Sequence, residues 1–328
     1  MTRLATTADL PQLTNLLLRG SEERRSRDSA LWSVALDARV QVETALAGKL
    51  AATAPASMEF WMVMEDAGRL LGAVHAMLVP APPIYAAPGH AGLLQNDAVM
   101  SPQAPPPTLR TLLTATEREL RQRGASILIA ACNEGDPSRS ALAAADYRPV
   151  TTYLAKAGFA ERAWPASVRR ADAHDVPEIV RLSACHRSTL RDLNPRFWAT
   201  HPEADDRFER WMRYSLELAD RDMIVVARGG EVAGYAIAQP VSHLHMPVGH
   251  NLSQVGIIDD FYAADFAEAP APAVDARDAA DLLTVAEDLF ARRGVTAAFA
   301  VCPAAWSSKL ATLERNGYRP ALSWLLKA

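Results

Sequence analysis

The sequence predicts an α/β protein, with helices packed on a mixed sheet in an α+β manner, built twice over in tandem. Three observations predict it. Short stretches of the first half recur in the same order in the second. Each half alternates amphipathic helical stretches with short strand-like runs. Each half also contains one run that is apolar almost throughout, "SILIAAC" (126–132) and "TAAFAVC" (296–302), as a strand buried on both faces must be.

The recurrences define the repeat. Tyr147-Arg148-Pro149 and Tyr318-Arg319-Pro320 stand 171 positions apart, with Tyr153, Leu154 and Lys156 matched at the same spacing by Trp324, Leu325 and Lys327. Asp9-Leu10-Pro11 aligns with Asp175-Val176-Pro177, and Leu31-Trp32 with Phe197-Trp198, at a spacing of 166. Gly68 and Gly72 align with Gly230 and Gly234 at 162, and Leu112, Leu113, Thr114, Glu117, Arg123, Gly124 and Cys132 all recur 170 further on. Matches in conserved order with little drift in spacing imply duplication: repeat one covers about 1–160 and repeat two 167–328, joined by "GFAERAWPAS".

Each repeat opens with a short strand and a helix starting near Asp9 or Asp175. The acid stands at the N-cap, and Pro11 or Pro177 lies in the first turn, where a missing N–H costs nothing. A second helical stretch is expected around Trp32 to Leu50 and Phe197 to Leu218. Two strands follow, joined by a glycine turn at Ala67-Gly68 or Gly229-Gly230, then a fourth strand at Leu93 to Met100 or Val255 to Tyr262. A longer helix, Thr108 to Arg123 or Ala279 to Arg293, ends at a glycine. The buried strand, a short helix and the "YRP" strand complete the unit.

Composition narrows the function classes. The 328 residues carry a net charge of -4, which argues against a dedicated nucleic-acid binder, and no apolar stretch reaches the ~18 residues of a membrane span. A cytoplasmic protein without a signal peptide is expected. Residues 1–160 hold 15 basic and 15 acidic side chains and residues 161–328 hold 19 and 23, so the excess negative charge lies in the second repeat. The cysteines Cys132, Cys185 and Cys302 are too few and too scattered for a disulfide framework.

The element order, the central glycine hairpin and the "GY" turn into the last strand resemble the GNAT acyltransferase superfamily, once per repeat. The resemblance implies two tandem GNAT-like domains, the first mainly structural. It also implies acetyl-CoA or another acyl-CoA held between the fourth and fifth strands, and acyl transfer to an amine of a small molecule or peptide. On that pattern Val99 and Met100, and Phe261 and Tyr262, lie on the strands that border the cofactor, and Arg110 adds a positive charge.

The family's glycine-rich phosphate loop is absent from both repeats. Pro105, Pro106 and Pro107 remove N–H donors in repeat one, while Asp275, Asp278 and Asp281 crowd the helix start in repeat two. The tyrosine that often protonates the departing thiolate is replaced by Leu142 and Leu313. An acid on the fourth strand remains: Asp97 in repeat one, Asp259 and Asp260 in repeat two, the latter pair being the candidate general bases.

Adjacent residues of a strand point to opposite faces, so one of Asp259 and Asp260 faces a cleft unless the strand ends early and both are solvated. Asp265 and Glu268 downstream would add negative charge that favours a cationic acceptor. His243 and His245 would share a face if their stretch is extended, which could suit a metal were further ligands in register, although no metal is assigned. Cys132 and Cys302 read as buried small hydrophobes, Trp32 and Trp198 as acceptor-site or core residues, and Glu22 to Asp28 as a solvated helix end. The alternative function is a catalytically inactive GNAT-like module that binds a small cationic ligand or a protein partner.

Overall fold

The computed structural model describes residues 1–51, 58–266 and 276–327. Repeat one runs β1 (Thr2–Leu4), α1 (Leu10–Arg27), α2 (Ala38–Leu50), β2 (Glu59–Asp66), β3 (Arg69–Val79), β4 (Ala91–Leu94), β5 (Val99–Met100), α3 (Thr108–Gln122), β6 (Ile127–Asn133), α4 (Ser138–Ala144) and β7 (Tyr147–Ala157). Repeat two runs β8 (Val168–Arg170), α5 (Val176–Leu193), α6 (Ala204–Ser215), β9 (Asp222–Arg228), β10 (Glu231–Pro240), β11 (Val255–Ala263), α7 (Arg277–Arg292), β12 (Ala297–Pro303), α8 (Ser307–Arg315) and β13 (Arg319–Lys327). The order expected from the sequence is present in both copies.

Local chemistry explains the elements. Asp9 and Asp175 precede α1 and α5 as expected, with the proline in the first turn. Their carboxylates turn back to grip Arg3 at 2.7 and 2.8 Å and Arg169 at 2.6 and 2.7 Å, which ties each first strand to its helix. The β2–β3 turn places Ala67 and Gly68 at φ of 45° and 78°, and the β9–β10 turn places Gly229 and Gly230 at 61° and 91°, a left-handed pair that suits a tight hairpin.

Two expectations need correction. The second helices start later than the apolar pattern suggests, because Trp32 and Trp198 are buried in the turns before α2 and α6 rather than on helical faces. The fourth strand of repeat one breaks into β4 and β5 at residues 95–98, whereas β11 is continuous with a bulge: Ala238 pairs with Ile258 and Ile237 with Asp260, leaving Asp259 as the extra residue.

The described strands form one sheet in the order β1-β2-β3-β4-β6-β13-β7-β12-β11-β10-β9-β8, with β5 against β3. Its centre shows that the final strands are exchanged. β13 of repeat two lies between β6 and β7, while β7 of repeat one pairs with β12. Each exchanged strand carries its lysine into the other repeat. Lys156 meets Glu287 of α7 at 2.7 Å and the Tyr318 ring at 5.6 Å, and Lys327 meets Glu117 of α3 at 2.5 Å and the Tyr147 ring at 5.3 Å. The repeated "YRP…K" stretch therefore encodes a reciprocal contact between the copies.

A second exchange involves the connections after β3 and β10. Residues 83–86 lie against repeat two, where Ala86 N–H donates to Ala199 O at 2.6 Å, His201 N–H donates to Ile84 O at 3.0 Å, and Tyr85 bridges Thr200. In return, residues 241–251 lie against repeat one. There Ala35 N–H donates to Gly249 O at 3.0 Å, Asn251 N–H donates to Ser33 O at 2.8 Å, and His250 bridges Val34.

Candidate active site in the second repeat

The site begins where β11 parts from β12. The two strands pair in parallel from Val255–Ala297 to Ile258–Ala300, after which β11 continues alone on that side. The bulge at Asp259 falls at this point, so Asp259 and Asp260 take different environments, as the alternation predicts.

Asp260 turns toward α5, where its Oδ1 lies 3.3 Å from Nδ1 of His186. Burial alone would raise the Asp260 pKa, but the hydrogen bond from His186 and the nearby Lys309 charge outweigh it and hold the carboxyl below its ordinary value. Burial lowers the His186 pKa, with Lys309 adding to the effect, so the imidazole is neutral and donates its Nδ1 proton to Asp260. Its Nε2 is then a lone-pair base, buried and without a hydrogen-bond partner among the described residues. Tyr262 stacks on the ring at 5.4 Å, and Trp306 tilts against it at 5.5 Å.

Asp259 sits on the solvent side of the bulge and accepts a hydrogen bond from Gln239 at 3.2 Å. Protein on several sides and the neighbouring Asp260 push its pKa up to about 6, while an open edge keeps the carboxyl in contact with solvent.

Lys309 occupies the gap between the strands. It projects from α8 one turn before Leu313, is 1% exposed, and donates from Nζ to Phe261 O at 2.5 Å. The rings of Phe261, Phe266 and Trp306 surround the ammonium at 5.2 to 5.6 Å, and burial lowers its pKa. Leu313 and Leu142 are fully buried and offer no proton.

The matching place in repeat one is built differently. The β4–β6 pairing stops at Leu94–Ala130, and the Asn133 side-chain amide donates to Asn96 O at 3.2 Å while its Oδ1 accepts from Asn96 Nδ2 at 2.9 Å. Asp97, two residues before the β5 residue that pairs with β3, corresponds to Asp260. It meets His75 Nδ1 at 3.0 Å, and His75 Nε2 meets Glu59 at 3.0 Å, so both ring nitrogens are taken. Burial opposes charge on this ring, but the Asp97 and Glu59 carboxylates prevail and raise its pKa to about 9. Trp61 stacks on it at 4.2 Å. Val99 is buried in a core with Leu13 and Trp61, and Met100 presses its Sδ onto the backbone at Gly72. Arg110 is exposed in the first turn of α3.

Several sequence expectations change here. Asp265 accepts the Asp278 N–H at 2.7 Å at the start of α7 instead of adding to an acceptor pocket. Asp278 and Asp281 share Arg228, which offsets their charge. Glu268 and Asp275 lie outside the described residues. The stretch around His243 and His245 is a turn, not extended: His243 bonds Met246 O, while His245 packs between Tyr153 and Trp324. Among the described residues no three His, Cys, Asp or Glu side chains group as metal ligands. Arg24 is not a solvated helix-end charge but a buried group that donates to His250 Nε2 at 3.0 Å. Burial raises the thiol of Cys132 to about 11 and that of Cys302 to about 12, which keeps both protonated.

Two α/β units, each with a fourth strand that leaves its parallel fifth strand at a break or bulge, define the class: the chain has a tandem GNAT fold. It resembles a solved tandem GNAT protein from the clavulanic acid biosynthesis pathway, determined without acetyl-CoA, at 14% identity and a TM-score of 0.52, over 99% of this chain and 97% of that one. A GCN5-related N-acetyltransferase from Sphaerobacter thermophilus matches at 15% identity and a TM-score of 0.55, over 99% and 94%. A GNAT-family acetyltransferase from Colwellia psychrerythraea matches at 11% and 0.50, over 99% and 98%. At these identities the likeness is one of fold. No family model matches the sequence, and no curated protein matches it. None of the described helices is long and apolar enough to cross a membrane.

Proposed function

We propose that the protein transfers an acyl group from acetyl-CoA or another acyl-CoA to an amine, and that repeat two carries the reaction. The observation behind this reading is the free Nε2 of His186, backed by Asp260 at 3.3 Å, at the point where β11 leaves β12. A carboxylate behind a neutral imidazole fixes its tautomer and stabilises the imidazolium that forms when it takes a proton.

Acyl-CoA supplies a thioester carbonyl. The chain's own part is to hold a neutral amine near Nε2, accept its proton as the new C–N bond forms, and return that proton to the sulfur as the C–S bond breaks. Asp260 stays ionised throughout, and Asp259 gives the cleft an acidic wall. Phe261 and Tyr262 border the acyl-CoA groove, with Lys309 as the group that must yield Phe261 O. Repeat one, in which Asp97 and both nitrogens of His75 are committed to one another and to Glu59, serves as structural support.

The test is calorimetric titration of the whole chain with acetyl-CoA, followed by an assay of free thiol release with a panel of primary amines. Binding together with amine-dependent thiol release that His186→Ala abolishes is the expected result. Absence of binding at millimolar acetyl-CoA overturns the reading.

A further inference from the structure

Repeat one contains a cavity of about 30 Å³ bounded by α1, α2, β2, β3 and Asp97. Pro247 and Val248, on the segment that repeat two lays against repeat one, complete its wall. Leu17, Val42, Leu46 and Trp61 make much of that wall apolar, so charges facing the cavity interact strongly. The space suits roughly one or two water molecules, or an ion of a few atoms.

The ionisable side chains that line this cavity do not balance. Arg24, Lys49 and His75 are cations, whereas Glu59 and Asp97 are the carboxylates. Burial opposes the charge on His75, but Asp97 and Glu59 keep its pKa at about 9. Lys49 pairs with Glu59, and His75 bonds both carboxylates. Arg24 is the cation left over. It is 5% exposed, donates from Nε to His250 Nε2 at 3.0 Å and from Nη2 to Ser21 Oγ at 3.4 Å, and forms no ion pair with a carboxylate among the described residues. Asp97 shows the complementary defect: its Oδ2 meets His75 at 3.0 Å, and its Oδ1 is buried without a hydrogen-bond partner among the described residues.

We infer that this cavity binds a small monovalent oxyanion that carries its own hydrogen-bond donor, the class to which bicarbonate belongs. The oxygens of the ion accept from the Arg24 guanidinium, and its hydroxyl donates to Asp97 Oδ1. A water satisfies Asp97 but leaves the buried excess of positive charge, while a donor-free anion answers Arg24 and leaves Asp97 Oδ1 bare beside a second negative charge. The bound ion joins α1 to Asp97 under a wall supplied by repeat two, so its occupancy favours the docked arrangement of the two copies. It takes no part in the reaction proposed for repeat two, and neither reading depends on the other.

The experiment titrates the full chain with sodium bicarbonate, formate and chloride at constant ionic strength and near-neutral pH, as wild type, Asp97→Asn and Ala45→Leu. Affinity is read by calorimetry, and the His75 and His186 ring resonances locate the site. Wild type is expected to bind bicarbonate about tenfold more tightly than formate, which has the charge but no donor, with His75 shifting and His186 still. Asp97→Asn replaces an acceptor oxygen by an amide that donates, so formate should then bind at least as tightly as bicarbonate. Ala45 lines the cavity, and Ala45→Leu should weaken both ions by narrowing the space while both charged groups stay in place. No bicarbonate binding by wild type, equal affinity for bicarbonate and chloride, a shift at His186 in place of His75, or an unchanged preference in folded Asp97→Asn would each overturn the inference.

Discussion

Repeat one and repeat two place a carboxylate at matching positions, Asp97 in the break between β4 and β5 and Asp260 within β11, and each meets a histidine, yet the two pairs are opposites. His75 is cationic, with a pKa of about 9, and is bonded at both nitrogens by Asp97 and Glu59; His186 is neutral, bonded at one nitrogen and free at the other. The first arrangement commits both ring nitrogens of His75 to carboxylates. The second leaves one lone pair for chemistry. On the proposed function the duplicated fold separates two roles, because a ring fixed by two anions has no free basic nitrogen.

The largest test of this contrast is kinetic. His186→Ala or Asp260→Asn should lower kcat for amine acylation by about 10³-fold, within the usual range for loss of a general base, while Asp97→Asn should leave kcat within about threefold. Equal losses at Asp97 and Asp260 would erase the contrast.

The next effect is on folding and should fall on the other copy. His75→Ala leaves Asp97 buried without its cation, while half-exposed Glu59 keeps Lys49, and breaking a buried pair costs about 3–5 kcal/mol. Urea unfolding should show that loss for His75→Ala and a smaller one for His186→Ala. Should His186→Ala prove the more damaging to stability, the assignment of roles is reversed.

The pH dependence of stability sharpens the same point from both sides. The folded pKa of His75 is raised, so its contribution is whole below the unfolded value of about 6.5 and is lost as pH climbs through about 9, on the order of 3 kcal/mol in total. His245 and His250 are lowered by burial to about 4, so their burial favours the fold above about 6.5 and becomes unfavourable as pH falls toward 4. Thermal melts from pH 4 to 10 should therefore show a dome, and His75→Ala should flatten only its alkaline side.

The smallest expected effect concerns Lys309. Its removal in Lys309→Met frees Phe261 O and spares the ligand the work of displacing an ammonium, so acetyl-CoA affinity should rise by roughly tenfold, about one buried hydrogen bond's worth. Weaker binding in calorimetry would mean that Lys309 supports the ligand instead of blocking it.

Much of this molecule was legible in its sequence. The echoes gave the duplication, and the helix starts at Asp9 and Asp175, the glycine turns and the buried strands fell where local chemistry put them. The exchange of β7 and β13 was not legible, since a strand's apolar pattern is the same whichever neighbour it pairs with. His186 was missed although a signal existed: Ile179, Leu182, Ser183, His186, Arg187 and Leu190 form one buried stripe of α5, and two ionisable groups on a core stripe mark a polar site. Arg24 on α1 and Lys309, one turn before Leu313 on α8, carried the same signal.

The central claim is that one repeat works and the other supports it. Its most direct measurement is the number of acetyl-CoA molecules bound per chain, read by calorimetry on wild type and on Lys309→Met. The account predicts one site per chain, tighter in Lys309→Met, with Asn133→Ala leaving the count at one. Two sites per chain, or none in either protein, would contradict it.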